Sequence, residues 1–274
     1  MESIVHRGAQ PSPTSSPELN PLRLGDRGSR SDNDTDTDSD VLAPLPEYKA
    51  AGETVLDFDG LLRPAPALRL REDLTEGCGG QTWPAGMVLA RHLLRHRRAE
   101  METARILELG SGGGLVGLAL ALACRGSCSS TTRPDSSSIF VTDQEPMLSL
   151  MKHNIALNGL QDRARAVVLN WGDVLPEEVR ALRPNVVLAA DCIYFEPAFP
   201  LLMATLEELL QLGEAGEPVT VYFSFKKRRR ADMQFVKKAQ KRFCVTDLAD
   251  EDRPVFSRQG LFLYSITRKG QQRV

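Results

Sequence analysis

The sequence predicts an α/β fold: a mostly parallel sheet with helices on both faces, preceded by an N-terminal β-hairpin. Three observations carry this. Strand-like and helix-like segments alternate from Ile106 onward. The apolar run Ile106–Leu109 ends in alternating glycines, Gly110, Gly112 and Gly114, and then continues as a helical stretch. Ahead of it, two short extended segments are separated by Pro64 and Pro66. With 274 residues, 42% hydrophobic content and a net charge of −2, the chain can fill one such domain, and nothing demands a polyanionic partner.

Residues 1–47, rich in Ser, Asp, Pro and Arg, cannot bury apolar surface and are expected to be a disordered tail, with the domain over 48–274. The acids of Ser31–Asp40 lack the glycine and final glutamate of a calcium loop. The hairpin is expected from Thr54–Phe58 and Ala67–Arg71, and the first helix from Met87–Arg98, where Val88, Leu89, Leu93 and Leu94 recur at helical spacing. Strands are expected at Ile139–Thr142, Arg165–Leu169, Asn185–Ala190 and Val219–Phe225, alternating with helices at Leu115–Ala123, Pro146–Leu157, Phe199–Leu212 and Asp232–Phe243. Cys244–Leu248 and Leu261–Thr267 close the sheet, and Arg125–Ser138 reads as a polar insertion.

Five cysteines without a C-x-x-C pair indicate reduced thiols, not a disulfide framework or a zinc site. No apolar run approaches the roughly 20 residues of a membrane span, and the N-terminus lacks a signal-peptide core. A cytoplasmic protein is expected, monomeric, without need of membrane or nucleic acid. His92 and His96 stand four apart on the first helix, but the arginines around them favour a solvated basic face, so no metal is expected.

The glycine turn fits two ligand classes. Gly112-x-Gly114-x-x-Gly117 matches the dinucleotide pattern and would suit an NAD(P)-dependent oxidoreductase, whereas Glu108-x-Gly110-x-Gly112-x-Gly114 matches the acid-led loop that receives S-adenosyl-L-methionine. A carboxylate beside the turn repels a pyrophosphate and favours a sulfonium and an ammonium, so Glu108 points to the methyl donor. Ligands of such sheets bind outside the carboxyl ends of the strands. There Asp143 would meet the ribose hydroxyls, or cap the helix starting at Pro146, and Asn170-Trp171-Gly172-Asp173 would meet the adenine. The run Lys226-Lys-Arg-Arg-Arg230 after the fifth strand reads as an exposed loop first and a partner contact second.

The fourth strand ends in Asp191-Cys-Ile-Tyr194. With Trp83-Pro-Ala-Gly86, Glu108-x-Gly110-x-Gly112 and Asn170-Trp171-Gly172-Asp173, it makes the stretch from about Thr54 to Thr267 resemble the family-16 seven-strand protein methyltransferases, chiefly lysine N-methyltransferases. Within that family the chain is most similar to the fungal elongation factor methyltransferases, which modify a lysine of translation elongation factor 1-alpha. The resemblance implies a Rossmann-like seven-strand sheet and S-adenosyl-L-methionine as donor. It implies donor contacts from Trp83, Gly110, Ser111, Gly112, Asp143, Trp171 and Ala190, and an acceptor side formed by Asp191 and Tyr194. Relatives that act on amide or adenine nitrogens carry Pro-Pro where this chain has Cys192-Ile193, so an amine acceptor fits better.

Overall fold

A computed structural model of the chain describes residues 52–74, 78–124, 138–213 and 217–270. The tail expected over 1–47 and nearly all of the 125–138 insertion lie outside the described residues. Strands β1 (Gly52–Leu56) and β2 (Leu68–Glu72) pair antiparallel as the expected hairpin, Gly52 opposite Glu72. Leu68 and Leu70 face the core while Arg69 and Arg71 face water, the period of two that makes this segment a half-buried strand.

The remaining elements are α1 (Pro84–His96), α2 (Arg98–Thr103), β3 (Ile106–Leu109), α3 (Leu115–Ala123), β4 (Ile139–Asp143), α4 (Leu148–Leu157), β5 (Ala164–Val168), α5 (Glu177–Leu182), β6 (Val186–Ala190), α6 (Phe199–Gln211), β7 (Thr220–Lys226), α7 (Arg230–Arg242), β8 (Phe243–Asp247), α8 (Arg253–Phe256) and β9 (Leu261–Arg268). The seven-strand sheet runs β5-β4-β3-β6-β7-β9-β8, and its first five strands are mutually parallel. β9 is antiparallel to both neighbours. Alternate residues of each strand feed two cores. Ile106, Val141, Val186 and Leu188 pack with α1, α3 and α4, whereas Leu107, Phe140, Val187 and Phe223 pack with α5, α6 and α7. α3 is buried along its whole length, which explains a nine-residue helix with no polar face. Among the described residues no helix is long and apolar enough to cross a membrane.

Polar contacts anchor the hairpin to the ligand-binding edge. Asn154 of α4, fully buried, accepts the Arg71 N–H at 2.8 Å and donates to the Gly113 carbonyl at 2.9 Å, joining β2, α4 and the glycine turn. Glu72, 3% exposed, accepts the Thr82 N–H at 2.9 Å and the Thr54 hydroxyl at 3.1 Å, fixing the approach to α1. The expected solvated face around His92 is not formed. His92 is 2% exposed, with its Nδ1 2.7 Å from Asp250 Oδ2, and His96 Nε2 lies 3.1 Å from Glu251. The helix turns these histidines toward the segment after β8, and burial holds the His92 pKa below its ordinary value although Asp250 pulls the other way.

Candidate active site

The carboxyl ends of β3, β4, β5 and β6, with the segment leading into α1 and Arg228 just beyond β7, open on one cavity of about 590 Å³. Ten residues expected at the site line it: Trp83, Glu108, Gly110, Ser111, Gly112, Asp143, Trp171, Ala190, Asp191 and Tyr194. The turn after β3 forms its floor. Gly110 and Gly112 have φ of +57° and +54°, a region a side chain rarely enters. A Cβ at Gly112 would stand 2.0 Å from the Gly79 carbonyl, and one at Gly110 would stand 2.9 Å from the Trp171 ring. The glycines therefore let the 78–80 segment and the indole close down on the turn.

Asp143 ends β4 beside this floor. Its Oδ2 accepts the Gly112 N–H at 2.7 Å and its Oδ1 the Gln144 N–H at 2.8 Å, so it buttresses the glycine turn and does not cap the following helix. Burial raises its pKa, against the two N–H groups, and each oxygen keeps a lone pair for a hydroxyl donor. Trp171 is set by its neighbour, because the Gly172 N–H donates to the buried Thr205 hydroxyl of α6 at 2.8 Å. Asp173 is exposed, accepts from Asn170 at 3.1 Å and does not line the cavity, so the carboxylate expected at the adenine edge is missing there.

Glu108, 2% exposed, turns its carboxyl toward α3. Oε2 accepts the Gly117 N–H at 2.8 Å and Oε1 the Val116 N–H at 3.2 Å, and burial pushes its pKa up to about 8. Those are amides of the α3 N-terminus that a dinucleotide pyrophosphate would need. Gly117, the last glycine of the dinucleotide pattern, instead makes room for the strand beneath it, since a Cβ there would stand 2.7 Å from Glu108 and 2.8 Å from Val141. Glu108 thus bears on ligand choice by filling an anion site more than by its charge.

The opposite end is built from side chains. Asp191 follows β6 with φ +57° and is 6% exposed. Its Oδ1 accepts from Arg228 Nη1 at 2.9 Å and from the Lys226 N–H at 3.1 Å, and its Oδ2 accepts from Arg228 Nη2 at 2.7 Å. Tyr194 and Phe195, 52% and 54% exposed, stand with Leu201 at the mouth. Burial lifts the Cys192 thiol well above its ordinary pKa, and it donates to the Leu109 carbonyl at 3.3 Å, an inert packing group. Sequence reasoning missed Arg228, along with Gln81, Gln144, Phe195 and Leu201, which also line the cavity. The signal for Arg228 was its strand: β7 pairs with β6 through Ser224 opposite Ala190, so the basic run leaves the sheet beside Asp191.

A parallel-centred seven-strand sheet with this glycine turn, a strand-end acid beside it and a blocked pyrophosphate site is the architecture of an S-adenosylmethionine-dependent methyltransferase. A profile of the lysine methyltransferase family matches residues 62–242. The chain is 36% identical over 248 residues to the protein-lysine N-methyltransferase EFM6 of Saccharomyces cerevisiae, covering 84% of this chain and 96% of that one. It is 31% identical to the protein N-lysine methyltransferase METTL21A of Danio rerio, over 66% of this chain and 76% of that one. To the mouse EEF1A lysine methyltransferase 3 it is 29% identical, over 56% and 57%. The chain belongs to the lysine methyltransferase family.

Proposed function

We propose that the chain methylates the ε-amine of a lysine in translation elongation factor 1-alpha, in the cytoplasm, with the donor held by Trp83, Gly110, Ser111, Gly112, Asp143, Trp171 and Ala190 and the acceptor met by Asp191 and Tyr194. The observation that carries this reading is the single cavity joining the glycine turn and Asp143 at one end to Asp191 and a half-exposed Tyr194 at the other. For the elongation factor, support comes from the mouse relative that bears its name and from the resemblance of the sequence motifs to the fungal elongation factor methyltransferases.

S-adenosylmethionine, when bound, supplies a methyl group on a sulfonium. The residues do the rest. Asp143, fixed by two backbone N–H groups, accepts from the ribose hydroxyls, and the Trp171 ring offers its face to the adenine. A lysine ammonium has no lone pair and an ordinary pKa near 10.4, so it must lose its proton to attack, and a desolvated channel favours the neutral amine. Asp191 already accepts three hydrogen bonds, which leaves one Oδ2 lone pair to orient the amine and makes it a poor base. Tyr194 walls the mouth through which the proton departs to water.

The test is incubation of the purified protein with methyl-labelled donor and a cell extract, wild type beside Asp191→Ala, followed by mass spectrometry. Label on a lysine of elongation factor 1-alpha, absent with the variant, is the expected result. Label on a different protein would displace the substrate, and no label despite measured donor binding would sink the reading.

A further inference from the structure

Within the basic run after β7, Arg228 turns inward, with 18% of its side chain exposed, while Lys227 and Arg230 face water. Its two terminal nitrogens grip both oxygens of Asp191, at 2.9 and 2.7 Å, and its guanidinium lies 5.3 Å from the centroid of the Trp83 ring. Its backbone is fixed in turn, because the buried Asp232 accepts the Arg228 N–H at 2.7 Å and the Arg229 N–H at 2.9 Å. On the other side the Asp191 N–H donates to the Ser224 carbonyl at 2.8 Å. The pair is held rigid by two strand ends and one indole.

We infer that Arg228 is a positioning residue for methyl transfer: it balances the charge of Asp191, so that the acceptor amine meets a neutralised pair with one oriented lone pair in place of a bare carboxylate. The inference rests on the lysine methyltransferase reading of this cavity. A bare carboxylate beside the amine would stabilise the ammonium, which cannot attack, whereas a bare guanidinium would repel it. Paired, the two fields largely cancel at the amine while the geometry of Asp191 is kept. A planar fork that serves both carboxylate oxygens and lies on an aromatic face is what arginine offers and lysine does not.

Other charged groups face the pair and are accounted for. Glu108 and Asp143 share the cavity but are bound to backbone N–H groups. Arg229 donates to the Tyr194 carbonyl at the mouth, Asp232 sits behind Arg228, and Lys226 reaches Asp191 through its backbone N–H. Among the described residues, Arg228 is the one side-chain cation paired with Asp191.

The experiment is the single-turnover rate against pH, at saturating donor and acceptor, for wild type, Arg228→Gln, Asp191→Asn and the double variant, with donor affinity measured for each. At saturation the rising limb reports the bound amine. The limb should move up by about one pH unit or more in Arg228→Gln, down in Asp191→Asn, and return near wild type when both charges are gone, one unit being a tenfold change in the protonation equilibrium. Rate losses with unmoved limbs, or limbs that move the same way in both single variants, would overturn the inference. Should Arg228→Gln fail to fold by circular dichroism, Asp191→Asn decides alone, since a limb at or above the wild-type position is the contrary result. Wild-type transfer to lysine is measured first. Its absence would overturn the reading of the site itself, whereas a working wild type with unmoved limbs overturns only the role of Arg228.

Discussion

The two ends of the cavity are built by different means. The donor end is backbone: glycines with positive φ, N–H groups aimed at Asp143, and a carboxyl of Glu108 fitted to the start of α3. The proposed acceptor end is side chain: Asp191 and Arg228, drawn from two neighbouring strand ends and set against the donor-side Trp83 ring, with exposed aromatics beyond them. A backbone site is pre-organised by the fold and serves one invariant ligand. A side-chain site can be changed residue by residue without disturbing the sheet, which suits a family whose members share a donor and differ in protein substrate.

The largest effect should come from the acceptor end. Asp191→Ala removes the oriented lone pair and leaves Arg228 without its carboxylate, so transfer should fall by about 10²-fold or more, the cost of a misaligned reacting group. Donor affinity, measured by calorimetry, should change only a few fold. Equal collapse of both would erase the division between the two ends.

Gly112→Ala tests the donor end in the opposite sense. The new Cβ meets the Gly79 carbonyl at 2.0 Å on a backbone with φ +54°, so strain and overpacking together should cost about 2–5 kcal/mol, seen as a lower Tm and a weakened donor complex. Wild-type donor affinity in this variant would mean that the 78–80 segment does not close on the turn.

The same division decides what could be read before the structure. The donor end was legible because its parts are local: Glu108, Gly110, Gly112 and the helix after them lie within one strand-turn-helix, and Asp143 ends the next strand. Helix α3 falls on the expected residues, since a continuous apolar run has little freedom in its limits. Arg228 was not legible, because its partner is 37 positions away and a run of five cations looks alike at every position until the sheet turns one of them inward. His92 failed for a related reason. Its ally Asp250 is 158 residues distant, and helical spacing alone cannot say that the histidine face meets a loop instead of water. The short helices α2 and α5, six residues each, carry too few apolar repeats to announce themselves.

Asp143→Ala should weaken donor binding by about 1.5–3 kcal/mol, the worth of hydrogen bonds to a charged acceptor, with Tm nearly held. Its two buttressing bonds are to backbone N–H groups near the cavity, where water can replace the carboxylate. Unchanged affinity would remove Asp143 from the site and leave the donor to the glycine turn, Trp83, Trp171 and Ala190.

Glu108→Gln is expected to matter least at neutral pH, and its value lies in the sign of its pH dependence. Burial raises the Glu108 pKa from about 4.5 to about 8, so the folded chain binds a proton there that the unfolded chain has lost. A raised folded pKa contributes stability that is fully present below about pH 4.5 and is lost as pH climbs through about 8, which gives the unfolding free energy a negative slope across that window. Glutamine keeps the shape, cannot ionise, and loses at most one of the two acceptors for the α3 N–H groups, a cost of about 1 kcal/mol at the acid end of the window, where wild type carries the proton in both states. Urea titrations from pH 5 to 8 should therefore show the difference between wild type and Glu108→Gln shrinking as pH rises. A difference that stays constant would mean that Glu108 is ionised throughout. In that case its charge, and not only its occupation of the helix amides, would help exclude a pyrophosphate from the donor end.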